Sequence, residues 1–421
     1  MTKFLSDSQM KILLICNSIG KDWAATSRVA TELIESLSTD GHEIFVWAVG
    51  NSREYQVKAA TGTVNVQGAR QGPRFLSAHD PELILLLTFC FRAMISRRKY
   101  ELAIWMDSPR LSGIAADILK KRFGTTSVAW VMDLPFEQIF RRSSPMKRFL
   151  ARIFKSIQTR SLKNADKVVT LGACMKNALT ERNIPREHIK IIGTWAPDKW
   201  REFQPAPAKS RSKFGLKDQF TIMYSGFAGV WHNFEVICDA LTLPENDKQT
   251  QWLFSGSGPG IDDITTLAEE HRALNIVIRD RVERKYLEEF LSCGDVHIVS
   301  LGPKMEGTCV PSKLYPLMAL GIPVIFIGPR SCQTAIDIER ATAGIVCQTV
   351  EDLLRAITKL KNSRHLRAAL GMNAKKAFQQ RHCLSYAVGQ WKSLIELNST
   401  ELRLSDSDSS YEELAKNSCH D

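Results

Sequence analysis

Short, continuously apolar runs alternate with amphipathic stretches along almost the whole chain. This alternation constrains the fold more than any other feature. The runs at 10–16, 42–49, 102–106, 127–132 and 167–171 read as strands, with helical patterns at 27–39, 112–123 and 144–164. A strand covered on both faces needs no alternating polar positions, so such runs predict parallel sheets flanked by helices. The texture changes at 204–213, a Pro/Ser-rich stretch without periodicity that reads as a linker. The alternation then restarts, with strands expected at 220–225, 251–255, 276–279, 296–300, 323–327 and 344–347 and helices at 263–273 and 284–293. The expected class is α/β, with two doubly wound Rossmann-like domains in series. A chain of 421 residues is long enough for two cores. The expected division is a first domain at 1–199, a linker at 200–218 and a second domain at 219–383. A C-terminal helix at 384–397, expected to return to the first domain, and a tail at 398–421 complete it. The tail holds six acids and two bases and is expected to be disordered.

With 56 Lys+Arg against 45 Asp+Glu, the net charge is +11, which calls for an anionic partner without choosing among nucleotide, nucleic acid and membrane. No run approaches the roughly 20 apolar residues of a spanning helix. The greasiest stretch, 83–91, ends at Arg92. The N-terminal apolar run is too short for a signal peptide. Ten cysteines lie singly, without a C-x-x-C pair, which predicts reduced thiols and a cytoplasmic setting over disulfides or zinc. His188, His297 and His382 have no ligand spacing with one another. Asp406-Ser407-Asp408 spells D-x-D, but in the acidic tail with no strand beside it.

In open α/β sheets, ligands sit beyond the carboxyl ends of strands, where backbone N–H groups are free. Four loops of the second half fit that place. One runs from Ser225 through Gly226 and Gly229 to His232, and a second carries Gly256 and Gly258. A third runs from Glu306, Gly307 and Thr308 to Ser312 and Lys313. Ser312 is there expected to cap a helix, and Pro316 places that helix's start nearby. A hydroxyl and an ammonium at a helix start suit a diphosphate. The fourth loop, 279–282, offers Arg281 to a nucleotide base.

The segment 306–323, E-G-T-C-V-P-S-K-L-Y-P-L-M-A-L-G-I-P, resembles a signature of family 4 glycosyltransferases of the GT-B fold, the bacterial colanic-acid and O-antigen-type enzymes. W-V-M-D-L-P-F-E at 130–137, A-D-K-V-V-T at 165–170 and G-T-W-A-P-D at 193–198 are similar to further segments of that group, in the same order. The resemblance covers about residues 10–395. It implies two Rossmann-like domains facing a cleft. It also implies transfer of a sugar from a nucleotide diphosphate sugar, UDP- or GDP-linked, to an acceptor hydroxyl with retention and without a metal or other cofactor. On this reading Lys313, Ser312 and the Gly226/Gly229 backbone hold the leaving diphosphate. Glu306 binds donor-sugar or ribose hydroxyls, Asp133 faces the acceptor or donor sugar, both in the catalytic set with Lys313, and His232, Gly256, Gly258, Arg281, Gly307 and Thr308 complete the donor site. Arg28 and Asp107 lie on the acceptor or phosphate side.

The chain departs from the family pattern in three places. Ala24-Ala25 replaces a glycine pair, Trp231-His232 stands where an Arg/Lys pair is usual, and Pro316 takes the place of a second glutamate. A nucleotide-sugar epimerase and a non-catalytic nucleotide-sugar-binding scaffold are the alternatives these departures leave. No recognised nucleic-acid motif accompanies the charge.

Between 138 and 167 nine Lys/Arg face one acid, a net of +8. Met146, Phe149, Leu150, Ile153, Phe154 and Ile157 form one helical stripe, and Arg148, Arg152 and Lys155 lie outside it. A basic amphipathic helix suits an anionic membrane surface and a lipid-linked acceptor; the stripe can equally pack on its own sheet, and both hold if the cationic face alone meets lipid headgroups. The expected location is therefore cytoplasmic, peripheral on the inner face of the cell membrane.

Overall fold

The computed structural model describes residues 9–20, 25–49, 55–58, 63–69, 81–107, 110–134, 145–243, 249–271 and 274–397. It contains an eight-stranded and a six-stranded sheet, built as the alternation predicts. The first comprises β1 (Lys11–Ile15), β2 (Glu43–Val49), β3 (Tyr55–Lys58), β4 (Thr63–Ala69), β5 (Leu102–Met106), β6 (Thr126–Val131), β7 (Lys167–Thr170) and β8 (Ile189–Ile191). Their order is β3-β4-β2-β1-β5-β6-β7-β8. β1 lies parallel to both β2 and β5, while β3 pairs antiparallel with β4. All residues of β5 and β6 are buried, as strands covered by helices on both faces should be.

The second sheet comprises β9 (Thr221–Phe227), β10 (Gln251–Ser257), β11 (Ile276–Arg279), β12 (Val296–Ser300), β13 (Val324–Ile327) and β14 (Gly344–Cys347). Its order is β11-β10-β9-β12-β13-β14, with every pair parallel. Tyr224, Trp252, Phe254, Ile298 and Ile325 are among its buried core. In both sheets the order reverses beside the first strand, between β1 and β5 and between β9 and β12. The carboxyl ends of those strand pairs are the places where such folds hold ligands.

The chain divides into two compact units, Met1–Trp130 with Arg160–Val168 and Ser385–Asp421, and Val131–Thr159 with Val169–Leu384. In the first unit the 384–397 helix brings Trp391 against Trp130, ring centroids 4.9 Å apart. In the second, part of the aperiodic stretch forms a helix, Pro207–Lys213. Its buried Arg211 bonds Asp218 at 2.6 Å, Asp295 at 3.0 Å and the Cys293 carbonyl. Charge pairing takes the place of apolar periodicity there. The expected helix at 284–293 divides into a 3-10 turn, Arg284–Tyr286, and a short helix, Leu287–Leu291. The helix Pro81–Ile95 absorbs the greasiest run. Leu85, Leu86 and Phe89 are buried, while Leu87 and Phe91 are exposed. The tail at 398–421, with its D-x-D, lies outside the described residues.

Candidate functional site

The second unit holds the site, at the carboxyl ends of β9 and β12. β9 and β10 run two residues past their apolar cores, pairing Gly226 with Gly256 and Phe227 with Ser257. A Cβ on Gly256 would lie 2.1 Å from the Gly226 carbonyl oxygen. Gly226 has φ +123°, and a Cβ there would lie 2.6 Å from Cε of Lys313. Gly256 thus lets the two strand ends approach closely, and Gly226 opens the space through which the Lys313 side chain reaches back to the strand end. The loops after β9 and β12 are fastened together. The Gly302 N–H donates to the Trp231 carbonyl at 2.7 Å, and the Asn233 N–H donates to Ser300 Oγ at 2.8 Å.

Lys313 Nζ donates to Tyr224 Oη at 2.6 Å and to the Phe227 carbonyl at 2.8 Å. Tyr224 Oη donates in turn to the same carbonyl at 2.9 Å. Among the described residues no carboxylate pairs with Lys313. Burial, and then the charge of Arg281, lower its pKa to about 7. Arg281 Nη2 donates to Ser257 Oγ at 3.1 Å. His232 Nδ1 accepts from the Gly229 N–H at 2.9 Å, and burial followed by Lys313 lowers its pKa to about 3. The imidazole is therefore neutral at physiological pH, and the Gly229 amide is engaged by it. Two basic side chains and a neutral imidazole around open strand ends, with no acid paired to the amine, form a setting for an anion.

The structure corrects the expected role of Ser312. The helix is Leu314–Leu320, Lys313 occupies its N-cap position in helical conformation, and no side chain caps it. Pro316 falls in the first turn, as expected, because only there is its missing N–H harmless. The cation thus comes from Lys313 reaching to β9, and neither a capping serine nor the start of this seven-residue helix supplies it. Lys313 is half-buried and bonded to the protein, unlike a solvated surface lysine.

Glu306 is exposed and makes no hydrogen bond or ion pair among the described residues. Gly307 has φ +72° and packs on the Cys174 carbonyl. Thr308 is buried; its hydroxyl donates to the Met305 carbonyl at 2.7 Å, and its own carbonyl accepts from the Leu134 N–H at 2.7 Å. That bond fixes Asp133, which forms a bridge with Cys309. Asp133 is open to solvent yet surrounded by enough protein that desolvation raises its carboxyl pKa. Gly258 precedes the helix Pro259–Glu270 at its N-cap position.

The remaining expected residues are placed elsewhere. In the first unit Arg28 pairs with Glu32 at 2.7 Å, and Asp107 Oδ1 accepts from the Leu111 N–H at 3.1 Å. On the helix Pro145–Asn164, Arg148 and Arg152 are exposed and Lys155 is half-buried. Three residues of its apolar stripe are exposed, Phe149 by 57%, Ile153 by 41% and Phe154 by 38%. Among the side chains described, the helix buries Ala151, Gln158, Ser161 and Leu162. The nine described cysteines are free, and the described residues contain no group of three or more His, Cys, Asp or Glu placed to hold a metal. No described helix is long and apolar enough to cross a membrane.

Tyr224 is the residue that sequence reasoning missed. It sits in an apolar strand where an aromatic reads as core. Its hydroxyl beside a strand-end glycine is the signal that could have found it.

Residues 25–195 match the glycosyl transferase 4-like domain family. The chain is 24% identical over 283 residues to a probable glycosyltransferase, WbjE, of Pseudomonas aeruginosa, covering 65% of this chain and 69% of that protein. It is 22% identical over 336 residues to the putative colanic acid biosynthesis glycosyl transferase WcaI of Escherichia coli K12, covering 74% and 82%. Among solved structures, Anabaena HepE, in complex with UDP and glucose, aligns with TM-score 0.67 at 16% identity over 92% of this chain and 100% of that one.

Proposed function

We propose that this GT-B-fold glycosyltransferase moves a sugar from a UDP- or GDP-linked donor to a lipid-linked acceptor hydroxyl, with retention, in surface polysaccharide or glycolipid assembly. The observation that carries the donor reading is Lys313, held at the end of β9 with no carboxylate partner. Breaking a glycosyl–phosphate bond builds negative charge on the departing diphosphate, and a cation already in place stabilises that charge without reorganisation. Arg281 lies near enough to add to the same field. Glu306, exposed and unpaired, is free to take sugar or ribose hydroxyls, and Asp133 stands on the fastened loop beside Cys309. The solved HepE complex with UDP and the sequence likeness to WcaI support the donor class and the pathway type.

Thermal melting against UDP-, GDP- and dTDP-sugars checks this reading first. One donor should raise the melting temperature, and transfer to polyprenyl-linked sugars should then release its nucleotide with the anomeric configuration kept. Nucleotide-sugar interconversion without acceptor would favour an epimerase, and binding without turnover a scaffold.

The exposed Phe149, Ile153 and Phe154 beside Arg148 and Arg152 favour a peripheral place on an anionic membrane, on its cytoplasmic face. Two surface cations contribute about 2 kcal/mol at an anionic bilayer. Arg148→Ser with Arg152→Ser should therefore lower partitioning onto vesicles containing 30% phosphatidylglycerol by roughly 30-fold at low salt. Equal sedimentation with anionic and neutral vesicles would remove the membrane from the account.

A further inference from the structure

We propose that Tyr224 is a positioning residue for donor binding: its buried hydroxyl, with the Phe227 carbonyl, holds the Lys313 amine at the strand end where the donor diphosphate docks. The inference rests on the proposed role of Lys313 and adds a residue that neither the motif nor the glycine loops point to. Tyr224 is fully buried in β9 and packs edge-on to Phe234, ring centroids 4.8 Å apart, so its hydroxyl has one fixed place. That hydroxyl accepts from Lys313 Nζ and donates to the Phe227 carbonyl, which also accepts from Nζ. The three atoms close a triangle at 2.6, 2.8 and 2.9 Å. The long, flexible lysine stem crosses the gap left by Gly226 and would have many rotamers without this anchor.

The groups facing Lys313 are Tyr224 on β9, His232 on the following loop and Arg281 after β11. None of them is an acid, and His232 is neutral. In the free protein the amine therefore loses its proton near pH 7. A diphosphate beside it favours the ammonium, so binding at pH 8 takes up a proton, and affinity falls as pH rises above 7. Tyr224 stabilises the charged form by accepting a hydrogen bond from it. Without that acceptor the break in affinity moves to lower pH.

The test is titration calorimetry with UDP, GDP and dTDP on wild type, Tyr224→Phe and Lys313→Ala, from pH 6 to 9 in two buffers of different ionisation heat. Tyr224→Phe keeps the ring and should leave the melting temperature nearly unchanged. It should weaken the preferred nucleotide about 10-fold at pH 8, the scale of one hydrogen bond to a charged group, and less at pH 6. Lys313→Ala should abolish the proton uptake. If Lys313→Ala weakens binding while Tyr224→Phe keeps wild-type affinity and the same pH break, Tyr224 is only a core residue and the inference is wrong. If Lys313→Ala binds as wild type, or no nucleotide binds wild type, the donor-site reading fails first and takes the inference with it.

Discussion

The two sheets reverse strand order in the same way, but they furnish the reversal points differently. After β1, Ser18 Oγ and Ser27 Oγ bond each other, the Gly20 N–H donates to Thr31 Oγ1 at 2.7 Å, and Arg28 is neutralised by Glu32. Asp107, after β5, accepts from the Leu111 N–H of its own turn. Among the described residues at that end, charges and hydroxyls satisfy one another. After β9, β11 and β12 the polar groups are left in a different state: a neutral imidazole, an arginine on a serine hydroxyl, and a lysine on neutral oxygens. Topology makes a reversal point in both sheets, and among the described residues side-chain chemistry makes the second the better setting for an anion.

Removing the cation should break this contrast most severely. Lys313→Ala is expected to lower kcat/KM by about 100-fold or more, in the range measured when a preorganised oxyanion donor is deleted. Steady-state kinetics on whichever nucleotide sugar stabilises the protein would check it, and a loss under threefold would mean the two crevices differ less than their chemistry suggests. Crowding the passage is a subtler perturbation. Gly226→Ala puts a Cβ where Lys313 Cε now lies and asks an L-residue to hold φ +123°. A drop of roughly 10-fold in turnover with a melting loss of a few degrees is expected. A variant that melts lower yet turns over normally would show that the lysine finds another route.

The pH dependence sharpens the comparison further. Lys313 must give up its proton near pH 7 in the folded protein but keeps it to about 10.4 when unfolded. The unfolded chain then binds more protons between these values, so this residue's contribution makes the free protein more stable as pH rises from about 7 towards 10. Buried thiols such as Cys16, pushed up to about 12, pull the other way above pH 8.5. Denaturation curves at pH 7.5 and 9 should therefore be read as wild type minus Lys313→Met, and that difference should grow with pH. A flat difference would place the amine in water. The smallest effect belongs to the first crevice. Arg28→Ala is expected to change nucleotide affinity less than twofold, because its charge is already matched by Glu32.

Much of the fold was legible because burial on both faces writes itself into composition. The strands 102–106, 276–279, 296–300 and 344–347 fall where their apolar runs lie. β3 and β4 escape notice because Tyr55–Lys58, at the edge, and Thr63–Ala69, beside it, mix polar and apolar residues. In the second unit, glycine spacing and the Pro-Ser-Lys-Leu-Tyr run point to the loops that meet at Lys313. Ser312 was misread because a serine before a helix usually caps it, while here the turn begins one residue later and the lysine stem bends back to β9. The Phe227 carbonyl could not be foreseen, since any residue carries one. For the stripe at 146–157, periodicity alone does not say which side chains the fold buries: Phe149, Ile153 and Phe154 are exposed, while Ala151, Gln158, Ser161 and Leu162 are buried.

The central claim is that Lys313, at the reversal point of the second sheet, grips the donor diphosphate. A binding titration at pH 7 with UDP and GDP, run on wild type, Lys313→Ala and Arg28→Ala, addresses it most directly. One nucleotide should bind wild type and Arg28→Ala alike and bind Lys313→Ala about 100-fold more weakly. Equal affinity in wild type and Lys313→Ala, or a loss confined to Arg28→Ala, would contradict it.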